Sequence, residues 1–190
     1  MLQIAFKEWA VICKALAEGK QAIILRKGGI AEMGGEFKPE HVRFWLYPTY
    51  LHEHREGIKQ DGLPLFEQVI QERPRAGTLR FTHFVEVTGV YDVRLEETAL
   101  ALDDMHIWSE MTVREKFHYR RSGLYVLPVR VYRAAIVLEL PELPAYAGCR
   151  TWVEIKQSLS TDGAAPVLDD RAYGEILRAL DRRLNPIAFA

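Results

Sequence analysis

Six short apolar segments, with one helical pattern at each end of the chain, most constrain the fold of this protein. The segments are rich in β-branched and aromatic residues, which predicts strands. They cover residues 21–25, 41–47, 79–87, 124–132, 135–140 and 152–156. Apolar residues recur at helical spacing over 5–18 and again from about Asp169. This order predicts an α+β fold, with a mixed, mostly antiparallel sheet or open pseudobarrel flanked by N- and C-terminal helices.

Shorter signals predict the helices between the strands. Residues 64–71 and 96–105 favour helices, and Ser109 has the character of an N-cap for a helix that ends near Phe117. Trp108 and Val113 are spaced as a hydrophobic staple around that cap. Trp108 therefore has a structural explanation before any functional one.

Composition limits the classes of protein to which the chain can belong. Its 190 residues are 48% hydrophobic, and no Pro-, Gly- or Ser-rich linker divides them, so we expect one domain over residues 1–190. The 25 Lys and Arg against 26 Asp and Glu argue against a protein that coats long nucleic acid nonspecifically, because such coating needs many unbalanced cations, and they leave a local basic patch open. The two cysteines, Cys13 and Cys149, and the lack of a membrane-length apolar run predict a cytoplasmic protein that does not enter a membrane.

Blocks of residues along nearly the whole chain resemble one bacterial family. The blocks are Phe6-Lys7-Glu8-Trp9-Ala10, Leu25-Arg26-Lys27-Gly28-Gly29-Ile30, Tyr47-Pro48-Thr49-Tyr50, His106-Ile107-Trp108-Ser109, and Gly148-Cys149 with Trp152-Val153-Glu154. They resemble the family catalogued as domain of unknown function 1802. Members have been noted in association with restriction-endonuclease-type domains. The resemblance thus implies a free-standing prokaryotic protein in a restriction-modification or defence setting, with a restriction-type protein as a candidate partner.

A second, shorter likeness concerns the first helix and the strand after it. The helix ends in Ala17-Glu18-Gly19-Lys20 and the strand in Leu25-Arg26-Lys27. This order is similar to the opening of ASCH and PUA-like pseudobarrels, which bind RNA or modified bases. The likeness implies a nucleic-acid-binding module with a PUA-like barrel, and it leaves open whether the ligand is DNA or RNA.

The turn after the first short strand is the best candidate for an anion site. Arg26, Lys27, Gly28 and Gly29 place two cations beside a glycine pair. Glycine allows a ligand to approach the backbone closely, and arginine binds phosphate bidentately. The same residues also suit the solvated tip of a β-hairpin, and the glycine spacings of nucleotide-binding loops are missing.

A second candidate is a strand face on which cations and aromatic rings alternate. Arg43, Trp45 and Tyr47 share this face, and Arg130 and Tyr132 repeat the pattern on a later strand. Such a surface would stack exposed bases and neutralise backbone phosphates. If the strands were neighbours, Arg26 would join the same surface. The alternative is a second packed face of the sheet.

Three histidines are candidate metal ligands. His41, His52 and His54 lie close in sequence, and a His-x-His pair in extended conformation points both rings the same way. No further ligand motif supports a metal, so a solvated loop is the alternative.

A metal-dependent nuclease is the alternative function. Glu142 followed by Glu154 and Lys156 is typical of restriction-type nucleases, in which acidic residues hold Mg²⁺ or Mn²⁺ and a lysine assists the attack of water. A solvent-facing pair on an edge strand explains Glu154 and Lys156 equally well. A third alternative is a non-catalytic scaffold that binds a protein partner. The binding module needs no cofactor, and the sequence leaves open whether the protein is an enzyme.

Overall fold

A mixed sheet of eight strands forms the centre of the computed structural model, which describes residues 1–28, 30–33, 36–148 and 150–185. The strands in the described ranges are β1 (Leu2–Trp9), β2 (Ile23–Arg26), β3 (Ile30–Met33), β4 (Glu36–Pro39), β5 (Arg43–Thr49), β6 (Thr78–Val87), β7 (Tyr91–Val93), β8 (Leu124–Pro141), β9 (Trp152–Leu159) and β10 (Ala165–Pro166). The helices there are α1 (Ala10–Ala17), α2 (Leu63–Gln71), α3 (Glu96–Leu100), α4 (Glu110–His118) and α5 (Asp170–Leu184). Of the described helices, none is long and apolar enough to cross a lipid bilayer.

The sheet is open and mostly antiparallel. Its order is β10-β8-β6-β5-β1-β9, and β2 and β7 pair with the first part of β8. Among the described strand pairs, only β1 and β5 run parallel, while β3 and β4 form a separate hairpin. The prediction of an α+β protein with a mixed, mostly antiparallel, open sheet flanked by terminal helices is confirmed.

Both faces of the sheet are covered by apolar side chains. On β5, Phe44 packs in one core and its neighbour Trp45 in a second core on the opposite face. The first core also contains Phe6 and Val85, and α1 and α2 contribute to it. The sequence of a strand that is buried on both faces is a continuous apolar run and does not alternate between apolar and polar residues.

This two-sided burial explains an error in the prediction for residues 5–18. The first half of that range is β1, which pairs with β5 and β9, and the helix begins only at Ala10. Ala5 and Phe6 are buried side by side on opposite faces, so β1 lacks the alternation that marks a half-exposed strand. Phe6 and Trp9 then match a helical period by chance.

The structure also merges two predicted strands into one. Residues 124–132 and 135–140 belong to the single strand β8, which carries a wide bulge. His83 pairs with Arg133, whereas Phe81 pairs with Leu138, so four residues of β8 lie opposite one residue of β6. The break between the two apolar segments in the sequence is this bulge.

Local capping signals are confirmed by the helix boundaries. The hydroxyl of Ser109 accepts a hydrogen bond from the amide of Thr112 at 3.3 Å, and α4 starts at the next residue. The carboxylate of Asp169 accepts one from the amide of Ala172 at 2.7 Å and starts α5. Each cap satisfies an amide that has no partner within its helix.

Candidate functional site

A large groove crosses the end of the sheet where the parallel strands β1 and β5 finish. Trp9 pairs with Thr49 at this end, and α1 begins at the next residue. The groove has a volume of about 2140 Å³. Small-molecule pockets usually measure roughly 300–1,000 Å³, so the groove is large enough for an extended ligand.

The lining of the groove is strongly basic. Five of the described residues that line it are acidic, and all are glutamates: Glu8, Glu18, Glu72, Glu139 and Glu142. Twelve described residues of the lining are cations: Lys7, Lys14, Arg26, Lys27, Arg73, Arg75, Arg80, Lys116, Arg120, Arg121, Arg133 and Arg150. The described lining therefore carries a formal excess of seven positive charges in a chain whose net charge is -1.

Few of these cations are neutralised by the glutamates of the groove. Arg80 pairs with Glu139 at 2.8 Å, and Lys14 pairs with Glu72 at 2.9 Å. Within the described part of the chain, seven arginines of the groove form no ion pair with a carboxylate. These are Arg26, Arg73, Arg75, Arg120, Arg121, Arg133 and Arg150. Their charges are available to an anionic ligand.

Arg26 faces the groove from a fixed position. Its guanidinium lies over the ring of Phe6 at 4.7 Å and over that of Trp152 at 5.4 Å, and its Nε donates to the carbonyl of Gly28 at 3.0 Å. Burial lowers the pKa of Arg26, while the nearby carboxylates of Glu8 and Glu40 act in the opposite direction. A guanidinium held by two rings loses little further freedom when it binds an anion.

Lys27 has a different role from the predicted one. Its ammonium donates to the carbonyls of Phe117, at 2.6 Å, and of Arg121 and Gly123. An ammonium has three donors, and these carbonyls use all of them, so Lys27 holds a turn of the protein and is not free to bind an external anion. Gly28 is exposed and lines the groove. The fourth predicted residue of this turn, Gly29, lies outside the described residues.

Carboxylates cap the N-terminus of α1, where Trp9 and Ala10 line the groove. Glu8 accepts from the amide of Trp9, and Glu53 accepts from the amide of Val11, both at 2.7 Å. Burial raises the pKa of Glu53, although its bond from Val11 opposes this shift. The carboxylates of the protein already occupy the positive end of this helix. An external anion would therefore bind the cationic side chains that line the groove.

The aromatic residues predicted to stack bases on β5 lie in the core. Trp45 is 0% exposed and Tyr47 is 2% exposed, and both belong to the second core. The hydroxyl of Tyr47 donates to Glu142 at 2.8 Å, and burial raises the pKa of Tyr47. The stacking prediction for these two residues is wrong because the sheet is covered on both faces, which leaves no open aromatic face.

The predicted cation surface is also divided. Arg26 lies over Phe6, on the face of the first core, whereas Arg43 lies over Phe84, on the face of the second core. Arg130 pairs with Asp170 at 2.5 Å, and its guanidinium lies 5.0 Å from the ring centre of Tyr173. Tyr132 stacks on Phe84 with ring centres 5.1 Å apart. Arg26, Arg43 and Arg130 therefore do not form the single surface that the sequence suggested, and Arg130 and Tyr132 have structural partners.

The three predicted metal ligands do not come together. Among the described residues, no group of three or more His, Cys, Asp or Glu side chains is arranged to hold a metal ion. The His41 ring packs against Trp152 and the His54 ring against Trp9, at 4.8 and 5.1 Å between centres. His52 lies in the exposed loop after β5. The prediction of a His41, His52 and His54 site is wrong, because two of these rings pack on different tryptophans.

The predicted nuclease residues lie on opposite faces of the sheet. Glu154 pairs with Ile4 across β9 and β1, and Ile4 packs on the first core. Lys156 follows at strand spacing and is exposed like Glu154. Glu142 instead bonds to Tyr47 of the second core. A shared metal needs the two carboxylates on one side of the sheet, so the arrangement required for Glu142, Glu154 and Lys156 is absent.

Sequence reasoning missed the turn that follows α4. Tyr119 is 56% exposed, and it lines the groove together with Arg120 and Arg121. The guanidinium of Arg120 lies 5.1 Å from the ring centre of Tyr119. The run of an aromatic residue and two arginines directly after a helix was the available signal.

Comparisons with known proteins give a family and several distant structures. No curated protein matches the chain. Similar solved structures include the crystal structure of ASCH from Zymomonas mobilis, at 11% identity over 92% of this chain and 93% of that chain, with a TM-score of 0.46. Two mutants of that protein match at 10% and 9% identity, over 93% and 94% of this chain and 94% and 98% of theirs, with TM-scores of 0.46 and 0.45. Residues 5–179 match the family model described as domain of unknown function (DUF1802), and the chain therefore belongs to that family.

Proposed function

We propose that the protein is a nucleic-acid-binding module that holds its ligand in the basic groove. The observation that carries this proposal is the segregation of charge: twelve cations and five glutamates line the groove of a chain whose net charge is -1. Such a local excess attracts a polyanion and is the electrostatic footprint of nucleic-acid binding.

Two features support a polymer as the ligand: the size of the groove, and the exposed arginines in it that have no described carboxylate partner. A volume of about 2140 Å³ exceeds what a single nucleotide fills. Arg75 and Arg133 line the groove, and both are exposed. Arginines without a carboxylate partner bind successive phosphates bidentately.

The test is a titration of the protein into fluorescein-labelled short single-stranded RNA, single-stranded DNA and duplex DNA, followed by fluorescence anisotropy at several salt concentrations. We expect binding that weakens steeply as salt rises. The double variant R75A/R133A should weaken it further. It should also reduce the slope of log K against log salt by about 1.4 for a single strand, since each lost phosphate contact removes about 0.7.

A matched control removes two arginines of α5. Arg171 and Arg178 are exposed and do not line the groove, so R171A/R178A changes the net charge equally. We expect the affinity of this control to stay close to that of the wild type. Equal loss in both double variants, or the absence of binding at low salt, would overturn the groove as the site.

Finer features of this function remain predictions. They are the choice between DNA and RNA, a PUA-like mode of binding, a restriction-modification or defence setting with a restriction-type protein partner, and a cytoplasmic location. The anisotropy assay settles the first of them. Adding Mg²⁺ or Mn²⁺ to the same samples tests the nuclease alternative, which predicts shortened label that chelator prevents.

A further inference from the structure

The turn after α4 presents an exposed aromatic ring, followed by two arginines, at the edge of the groove. We call residues 119–121 the rim turn. Tyr119 keeps 56% of its surface exposed, whereas Trp45 and Trp108 are almost fully buried. Arg120 and Arg121 follow it, and neither forms an ion pair with a described carboxylate. An exposed ring in a cationic groove offers a π-face to a ligand instead of stabilising a core.

The backbone of the rim turn is strained. Arg120 has a φ of 62°, in the left-handed region that non-glycine residues rarely adopt, and the amide of Arg121 donates to the carbonyl of Tyr119 at 2.8 Å. Glycine would take this conformation without strain. An arginine that persists in such a conformation indicates that its side chain is needed there.

Lys27 fixes the rim turn in place. Its ammonium bonds to the carbonyl of Phe117 before the turn and to those of Arg121 and Gly123 at and after its end. The turn is thus held at both sides from the strand β2. Fixing the turn in advance reduces the ordering cost that a ligand would otherwise meet on binding.

We propose that the rim turn is a stacking site for one unpaired base, with Arg120 and Arg121 on the adjoining phosphates, so that the ligand class of the groove is single-stranded nucleic acid. This inference rests on the proposed function. One face of the Tyr119 ring carries the guanidinium of Arg120, and the opposite face is the one offered to the base. Only a base released from its stack can reach an aromatic face in this way, and the bases of a duplex are not so exposed.

The experiment pairs two variants with two strands. Tyr119→Ala removes the ring and Tyr119→Phe keeps it, while the ligands are a labelled single-stranded oligonucleotide and an abasic strand of the same length. We expect Tyr119→Ala to weaken binding of the base-bearing strand about fivefold or more. Binding of the abasic strand should not change, and Tyr119→Phe should bind both strands like the wild type.

The outcomes separate this inference from the proposed function. If Tyr119→Ala binds both strands like the wild type while R75A/R133A is still weakened, the stacking site is overturned and the groove proposal stands. Equal weakening of the base-bearing and abasic strands would also overturn it, because the ring would then act only through the structure of the turn. Duplex DNA or a polyglutamate peptide that competes as well as the single strand would overturn the ligand class. If the wild type binds no strand, the proposed function itself fails.

Discussion

Two residues of the groove carry an uncommon backbone conformation. Among the described non-glycine residues, only His52 and Arg120 have positive φ, at 64° and 62°, and both line the groove. The left-handed conformation costs a non-glycine residue about 1–2 kcal/mol. A protein that keeps this cost beside a large basic groove gives up some stability for the placement of particular side chains.

The substitution Arg120→Gly tests this trade-off at a single residue. We expect it to raise the free energy of unfolding by up to about 1 kcal/mol, because glycine adopts a φ of 62° without strain. It should also weaken nucleic-acid binding, because one guanidinium of the rim turn is lost. Urea titration followed by tryptophan fluorescence gives the stability, and anisotropy gives the affinity.

His52→Gly is the matched control for the stability measurement, since it relieves the same conformation at another position. A gain in stability for His52→Gly but not for Arg120→Gly would contradict the account of strain at the rim turn. It would indicate that contacts of the Arg120 side chain stabilise the fold by more than its backbone costs.

At the scale of elements, Lys27 joins the end of β2 to the connection between α4 and β8. One carbonyl of the last turn of α4 and two of that connection share its ammonium, and they lie 90 to 96 residues away along the chain. Hydrogen bonds to a charged group are stronger than neutral ones, and buried acceptors that lose their partner are destabilising. The position of the rim turn therefore depends on one side chain of another element.

Lys27→Met keeps most of the aliphatic stem and removes the ammonium. We expect it to lower the free energy of unfolding by about 1–2 kcal/mol, since three carbonyls lose a charged donor at a site that is partly open to solvent. Amide hydrogen exchange over residues 119–123 should quicken. The control is Lys20→Met, because Lys20 is exposed and, among the described residues, forms its ion pair with Glu18, at 3.0 Å. Similar losses in both variants would contradict a special role for Lys27.

The elements that sequence reasoning predicted well have local causes. Ser109 and Asp169 start their helices because their side chains bond to amides three residues later, and the sequence shows such caps directly. The helix predicted at 64–71 is α2, at Leu63–Gln71. The family and the open mixed sheet were also predicted, since both depend on patterns spread along the whole chain.

The failures share a cause in tertiary structure. The sequence does not show that the sheet is covered on both faces, and this covering turned Trp45 and Tyr47 from candidate ligands into core residues. Because β1 is buried on both faces, its apolar residues do not alternate, and their spacing matches that of a helix. For the site, Arg26 was a candidate ligand-binding residue whose exposure the sequence left open, and it lines the groove. The partners of Lys27 are too distant in sequence for any local pattern to reveal.

At the scale of the whole molecule, charge is divided between the groove and the remaining surface. The described side chains of the groove carry an excess of seven positive charges, whereas the net charge of the whole chain is -1, so the rest of the chain is negatively charged. A polyanion approaching the protein is repelled by most of its surface and attracted to one concavity, which favours productive orientation over nonspecific coating.

Global stability should depend on pH through a buried histidine. His106 is 3% exposed, and neither ring nitrogen has a hydrogen-bond partner in the described structure. Burial, together with the positive charge of Lys59, lowers the pKa of His106 to about 4. The unfolded chain binds this proton near pH 6.5, so stability is complete above that pH and falls as the pH drops towards 4.

His106→Gln should make the fold less sensitive to acid. We expect the wild type to lose about 2 kcal/mol more between pH 7 and pH 5 than the variant does, because the proton taken up by His106 on unfolding no longer contributes. Urea unfolding at a series of pH values measures this difference. Parallel pH profiles for the two proteins would show that His106 does not cause the acid sensitivity.

The bulge in β8 has a further consequence for solubility. Residues 134–141 form an apolar strand segment whose outer side pairs with no strand in the described structure, and Ile136 and Val137 there are 65% and 60% exposed. A flat edge of this composition templates intermolecular β-sheets and amyloid. The bulge twists the edge out of line, Glu139 adds a charge within it, and Pro141 ends it without a donor. The irregular strand thus protects the folded protein against aggregation at this edge.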